Sequence, residues 1–135
     1  MKEIASRHPA GMVGVPVGAQ ARYIGLFASL DALEVPCGTQ IRYAQGPSVA
    51  HNCNNLVAEM RKAGAQWLWI MGDDHTFRPD TLLRLLDRDV DLVVPVVSRR
   101  GMPFQTVLYK AAATDGSSYL TYSWGDLTRD APRGG

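Results

Sequence analysis

The chain has 135 residues, with 46% hydrophobic and 20% charged side chains, a composition that excludes a disordered or low-complexity segment and fits one globular domain. Fourteen Lys and Arg against thirteen Asp and Glu leave a formal charge of +1, which excludes the broad basic footprint of a nucleic-acid binder. The first ten residues carry Lys2, Glu3, Arg7 and His8, so they are no secretory signal, and no apolar run reaches the ~20 residues that span a bilayer. A cytoplasmic protein is expected, with Cys37 and Cys53 as reduced thiols, no membrane insertion, and a homo-oligomer left open.

The first predicted element is the strand Met12-Val13-Gly14-Val15-Pro16-Val17, ended by Gly18. A helix is expected from about 19 to 33, with Ile24, Phe27, Ala28 and Leu30 as its apolar face, until Val35-Pro36-Cys37-Gly38 breaks it. Residues 39–44 alternate polar and apolar side chains and predict a second strand. From 48 to 63, Val49, Cys53, Leu56, Val57 and Met60 recur at helical spacing, with Ser48 as N-cap and Gly64 as stop. Gln66-Trp67-Leu68-Trp69-Ile70-Met71 reads as a central strand that runs into Gly72-Asp73-Asp74-His75. Pro79 and Asp80 open a further helix carrying Leu82, Leu83, Leu85 and Leu86, and residues 90–97 predict a fourth strand. Residues 104–110 and 119–122 are expected as an antiparallel pair, and 126–135 as a loose tail beyond a single domain over 1–125.

Alternating strands and helices imply an α/β fold, a Rossmann-like, mostly parallel sheet with helices on both faces and a small antiparallel C-terminal part. Ligands of such sheets collect at the carboxyl ends of the strands. There the third strand delivers Asp73, Asp74 and His75. Two adjacent carboxylates repel unless water or a cation offsets their charge, and hard oxygen ligands suit Mg2+ or Mn2+ held jointly with substrate phosphates. An exposed acidic turn is the plainer reading of such a pair; its place after a strongly apolar strand favours the functional one. Trp67 and Trp69 share one side of their strand and read as packing. Gly11, Gly14 and Gly18 lack dinucleotide-fingerprint spacing, and Cys53 with His51 lacks a second ligand pair for zinc.

The run from Gly64 through Trp67, Trp69, Asp73, Asp74, Pro79 and Asp80 to Leu82 resembles the segment around the DxD motif of family 2 glycosyltransferases of the GT-A fold. Upstream, Gly46-Pro47-Ser48-Val49-Ala50-His51-Asn52 resembles that family's entry into a helix, with His51 where an arginine is usual. Downstream, Val90-Asp91-Leu92-Val93-Val94-Pro95 and Arg99-Arg100-Gly101-Met102-Pro103 are also similar. The resemblance covers about residues 13–103. It implies a nucleoside diphosphate-sugar donor, UDP- or GDP-linked, an unknown acceptor, and Mn2+ or Mg2+ as cofactor.

Laid on Gly72-Asp73-Asp74, the motif has glycine for its first acid and gives the metal to Asp74; laid on Asp73-Asp74-His75, it puts His75 at the third position, so Asp74, Asp73 and His75 are the expected metal residues. The resemblance further implies donor contacts from Pro16, Val17, Gly18 and Asp73; Asn52 suits either a base or phosphate contact or helix-start solvation, and Arg99 and Arg100 either a diphosphate clamp or a solvated loop pair. No general base is identified among Asp115, Asp126 and Asp130. The alternatives are a non-catalytic donor-binding module of the same fold and, last, a nucleotidyltransferase, whose basic triphosphate loop residues 11–18 lack.

Overall fold

The computed structural model describes residues 1–18, 23–46, 48–98, 106, 109–112, 119–121 and 123, with 109–112 and 119–121 described as backbone. Two compact units divide the chain, Met1–Asp91 and Leu92–Gly135.

The first unit is α/β. A three-stranded parallel sheet runs in the order β4 (Gln40–Gln45), β2 (Met12–Val17), β5 (Leu68–Ile70). Beside it, β1 (Lys2–Ile4) and β3 (Glu34–Pro36) form a second parallel pair. Between these strands lie α1 (Ile24–Ala32), α2 (Val49–Ala63) and α3 (Thr81–Leu86). The valines of β2 alternate with Gly14 and Pro16, and this period of two separates the layers. Val13, Val15 and Val17 are buried in one cluster with Leu26 and Leu30 of α1, Leu33, Val35, Met71 and Leu82 of α3. Gly14 faces the other way, where the Leu56 methyls of α2 lie 3.0 and 3.2 Å from the place a Cβ would take. Helices thus cover both faces of β2.

The helix ends follow their sequence signals. Ser48 is extended and its hydroxyl accepts the His51 N–H at 3.2 Å, while Gly64 stops α2 in the left-handed region at φ 66°. The buried stripe of α2, however, runs through Asn52 and Leu56, and Val49, expected on that face, is 70% exposed. Likewise α1, whose expected residues 19–22 lie outside the described residues, buries Leu26 and Leu30, leaving Ile24 82% exposed and Phe27 half-exposed. Leu26, Leu30 and Leu33 form the i, i+4, i+7 series that meets β2, which turns Ile24 and Phe27 outward. Asp80 is the N-cap of α3, without a side-chain cap bond, and the helix begins at Thr81.

Trp67 and Trp69 pack, as expected. The Trp67 indole lies against Gly11, where no Cβ would fit, and its Nε1–H donates to the Pro9 carbonyl at 2.9 Å. Trp69 meets Phe77 edge-on, with ring centroids 5.1 Å apart. Near the N-terminus, Arg7 and His8 both reach Asp87 Oδ1 at 2.8 Å and tie the segment before β2 to the end of α3. The His8 hydrogen bond first, and then Arg7, hold the Asp87 carboxyl below its ordinary value of 3.8. A carboxyl depressed on folding adds stability above its unfolded pKa and loses that stability as pH falls through the folded value. Asp87→Asn is therefore expected to be less stable than the parent at pH 5. The gap should close as acid protonates Asp87 in both the folded and unfolded parent chains, as followed by urea midpoints across that range.

In the second unit the expected fourth strand is not formed. Residues 92–97 pair with no strand among the described residues, and Ser98 makes an isolated antiparallel bridge with Thr106. Pro95 removes a ladder donor from the middle of that run, and Asp89 before it turns the chain at φ 50°. An antiparallel pair is present, with β6 at Tyr109–Ala112 and β7 at Tyr119–Thr121, while residues 104, 105, 107 and 108 of the expected first strand lie outside the described residues. The expected turn at 115–118 and the tail from 126 lie outside the described residues.

Candidate functional site

Chain order reverses at β2, which has β4 on one side and β5 on the other, so the carboxyl ends of three parallel strands meet in one place. That is where open α/β sheets hold their ligands. Pro16 and Val17 end β2 there, and Gly18 follows. Gly46 follows β4 and leads into α2, and Gly72-Asp73-Asp74-His75 follows β5.

The last of these is a tight turn. The His75 N–H approaches the Gly72 carbonyl at 3.5 Å, and Asp73 and Asp74 are its central residues. Gly72 is required by what lies above it. A Cβ there would stand 2.5 Å from His75 Nδ1 and 2.9 Å from Asp74 Oδ1. The space over Gly72 is thus taken by the His75 imidazole and the Asp74 carboxylate. His75 Nδ1 and Asp74 Oδ1 are 3.0 Å apart, and Nδ1 has no hydrogen-bond partner among the described residues.

Asp73 turns the other way. Its Oδ2 accepts the Gly18 N–H at 3.0 Å, joining the turn after β5 to the end of β2. On the opposite side, Asn52 is 3% exposed and its Nδ2 donates to the Val17 carbonyl at 3.3 Å. That carbonyl can only accept, which fixes the orientation of the amide. Asn52 Oδ1 lies close over Gly46, where a Cβ would stand 2.6 Å away, and has no donor among the described residues. His51, one residue earlier, is exposed and its Nε2 lies 3.1 Å from Asn55 Nδ2.

Of the residues singled out from sequence, Val17, Gly18, Asn52 and Asp73 are joined by hydrogen bonds, and Asp74 and His75 lie on the same turn as Asp73. Arg99 and Arg100, and the acids Asp115, Asp126 and Asp130, lie outside the described residues. Sequence reasoning missed the role of Gly72, for which a glycine beside two acids and a bulky ring was the available signal. A separate shallow groove of about 350 Å³, lined by Tyr43, Ala44, Gln45, Asn55, Ala58 and Glu59, lies on the β4–α2 flank and includes neither Asp73 nor Asp74. Among the described residues no three His, Cys, Asp or Glu side chains gather to hold a metal, and no helix is long and apolar enough to cross a membrane. No family model, curated protein or solved structure matches the chain.

Proposed function

We propose that the chain binds a nucleoside diphosphate-sugar through Mn2+ or Mg2+ held by Asp74 and His75, and acts as a GT-A-type glycosyltransferase. The observation that carries this reading is the 3.0 Å spacing of Asp74 Oδ1 and His75 Nδ1 at the carboxyl edge of the sheet. Two donors on neighbouring positions of an octahedral shell with bonds of roughly 2.0–2.1 Å stand about 3 Å apart. Two protein donors are too few for a closed cage. They suit a cation that takes the rest of its shell from phosphate and water. An imidazole among them favours Mn2+ over Mg2+.

When bound, such a cation neutralises charge on the departing diphosphate. The chain itself contributes position. Val17 ends β2 and Gly18 follows it beside the turn that carries Asp74, and Asn52 holds the last carbonyl of that strand. The acceptor, the sugar and the base that would take the acceptor's proton are not identified among the described residues. Two free cysteines, one exposed and one partly buried, fit the reducing cytoplasm that this reading assumes.

A specific observation favours a second reading, a donor-binding module without transfer: the His75 ring and Asp74 Oδ1 fill the space over Gly72 and leave no room for a carboxylate side chain there. Calorimetric titration with UDP- and GDP-sugars, with and without Mn2+, tests the first. Binding that appears only with the cation is the expected result. Equal binding in chelator, or none at all, removes the proposal. Transfer or donor hydrolysis in the same mixtures separates an enzyme from a module.

A further inference from the structure

We propose that Asp73 and Asn52 form a two-sided clamp on the Val17–Gly18 peptide, which makes Asp73 a positioning residue for the end of β2 rather than a ligand to the cation. The Val17 carbonyl and the Gly18 N–H belong to one rigid peptide plane and point in opposite directions. Asn52 Nδ2 takes the carbonyl from α2, and Asp73 Oδ2 takes the N–H from the turn after β5. One planar group is thereby held by two side chains from two different elements.

The need for this clamp follows from the ladder. β4 accompanies β2 as far as Val17, opposite Gln45, whereas β5 pairs with β2 over Met12, Val13 and Gly14, with one further bond from Met71 N–H to the Gly14 carbonyl. Past that point no backbone of β5 serves the end of β2, and the Asp73 carboxylate supplies the acceptor. A hydrogen bond from an amide to an ionised carboxylate is of the stronger kind. Asn52 is buried to 97%, so its hold on Val17 is shielded from competing water. The Asp73 carboxylate is engaged by the Gly18 N–H, while Asp74 Oδ1 lies beside His75 Nδ1 on the same turn. The two neighbouring acids therefore divide the work, Asp74 meeting the ligand and Asp73 setting the strand end that faces it.

The functional consequence rests on the nucleotide-binding reading; the clamp itself belongs to the free protein and is tested there. Amide NMR of the full chain, without ligand, is recorded for the parent, Asp73→Asn and Asp73→Ala. Asp73→Ala is expected to shift the Gly18 amide upfield and speed its exchange about tenfold, the loss of one charge-assisted bond. Asp73→Asn retains an acceptor and should restore most of both. The Asn variant also keeps the volume of the carboxylate, so it remains informative if the Ala variant does not fold. Titration with MnCl2 and with UDP or GDP follows. Asp73→Asn should bind Mn2+ like the parent, while Asp73→Ala loses nucleotide affinity. A Gly18 amide unmoved in Asp73→Ala overturns the clamp, and loss of Mn2+ binding in Asp73→Asn overturns the division of labour. A parent chain that binds neither cation nor nucleotide refutes the proposed function and leaves the amide result to judge the clamp.

Discussion

Asp74→Asn is expected to weaken Mn2+-dependent nucleotide binding by about a hundredfold or more, with the fold intact. Groups one shell removed from a metal already cost roughly 10–100-fold when changed, and a direct carboxylate ligand should cost at least as much. Asp74 is half-exposed on a turn and lies outside the buried cluster, so the urea midpoint should move by no more than about 0.5 kcal/mol in free-energy terms. Gly72→Ala makes the same point without touching a ligand. The new methyl would stand 2.5 Å from His75 Nδ1, and the partly exposed ring gives way more easily than the turn. The ring then leaves its 3.0 Å spacing from Asp74, and cation affinity falls although both donors are still present. Calorimetry of Mn2+ and of Mn2+-nucleotide against the two variants checks this. Parent-like affinity in Gly72→Ala would show that the spacing of imidazole and carboxylate is incidental.

What the sequence made legible, and what it hid, divides along the range of the interaction. The ends of α2 were readable because Ser48 and Gly64 act on their own neighbours, one through its hydroxyl and one through its backbone angle. The buried stripe of the same helix was not. Hydrophobic periodicity counts Val49 as core and Asn52 as surface, yet Asn52 is buried because a carbonyl of β2 awaits its amide. In α1 the pattern was ambiguous by composition, since Asp31 is the single charge in Ile24–Ala32 and almost any face reads as apolar. The pairing of β1 with β3 left no trace in periodicity, being three residues against three with Lys2 and Glu34 in register.

The candidate site followed the same rule. An acidic step after an apolar strand located Asp73 and Asp74, and Gly18 and Asn52 were picked out separately. That Asp73 serves Gly18 and Asn52 serves Val17 is a matter of hydrogen-bond accounting between residues 55 and 35 positions apart, which no local pattern encodes. Residues 92–97 show the converse failure: valine and leucine spoke for a strand, and the proline among them removes a donor that a strand needs.

Leu56→Ala should destabilise the first unit by about 2–5 kcal/mol, the range for emptying a fully buried leucine site. Leu56 is completely buried, and its two methyls fill the space that the missing side chain of Gly14 leaves over the central strand, with Leu68 Cδ1 3.2 Å from the same point. Glycine on β2 and leucine on α2 are thus one packing unit, so their substitutions are not independent. Gly14→Ala alone crowds contacts already at 3.0–3.2 Å and should destabilise by about 1–3 kcal/mol. In a Leu56→Ala background the same methyl enters the vacated space. The double variant is therefore expected to be more stable than the sum of the single losses, by about 1 kcal/mol or more of coupling. Urea midpoints at constant slope measure all three. Asn52 lies one helical turn before Leu56, so a helix loosened at this contact should also loosen the hold on Val17. Gly18 amide exchange in Leu56→Ala then rises beyond what the lost global stability accounts for. Strict additivity of the two substitutions would mean that α2 and β2 do not meet through this pair.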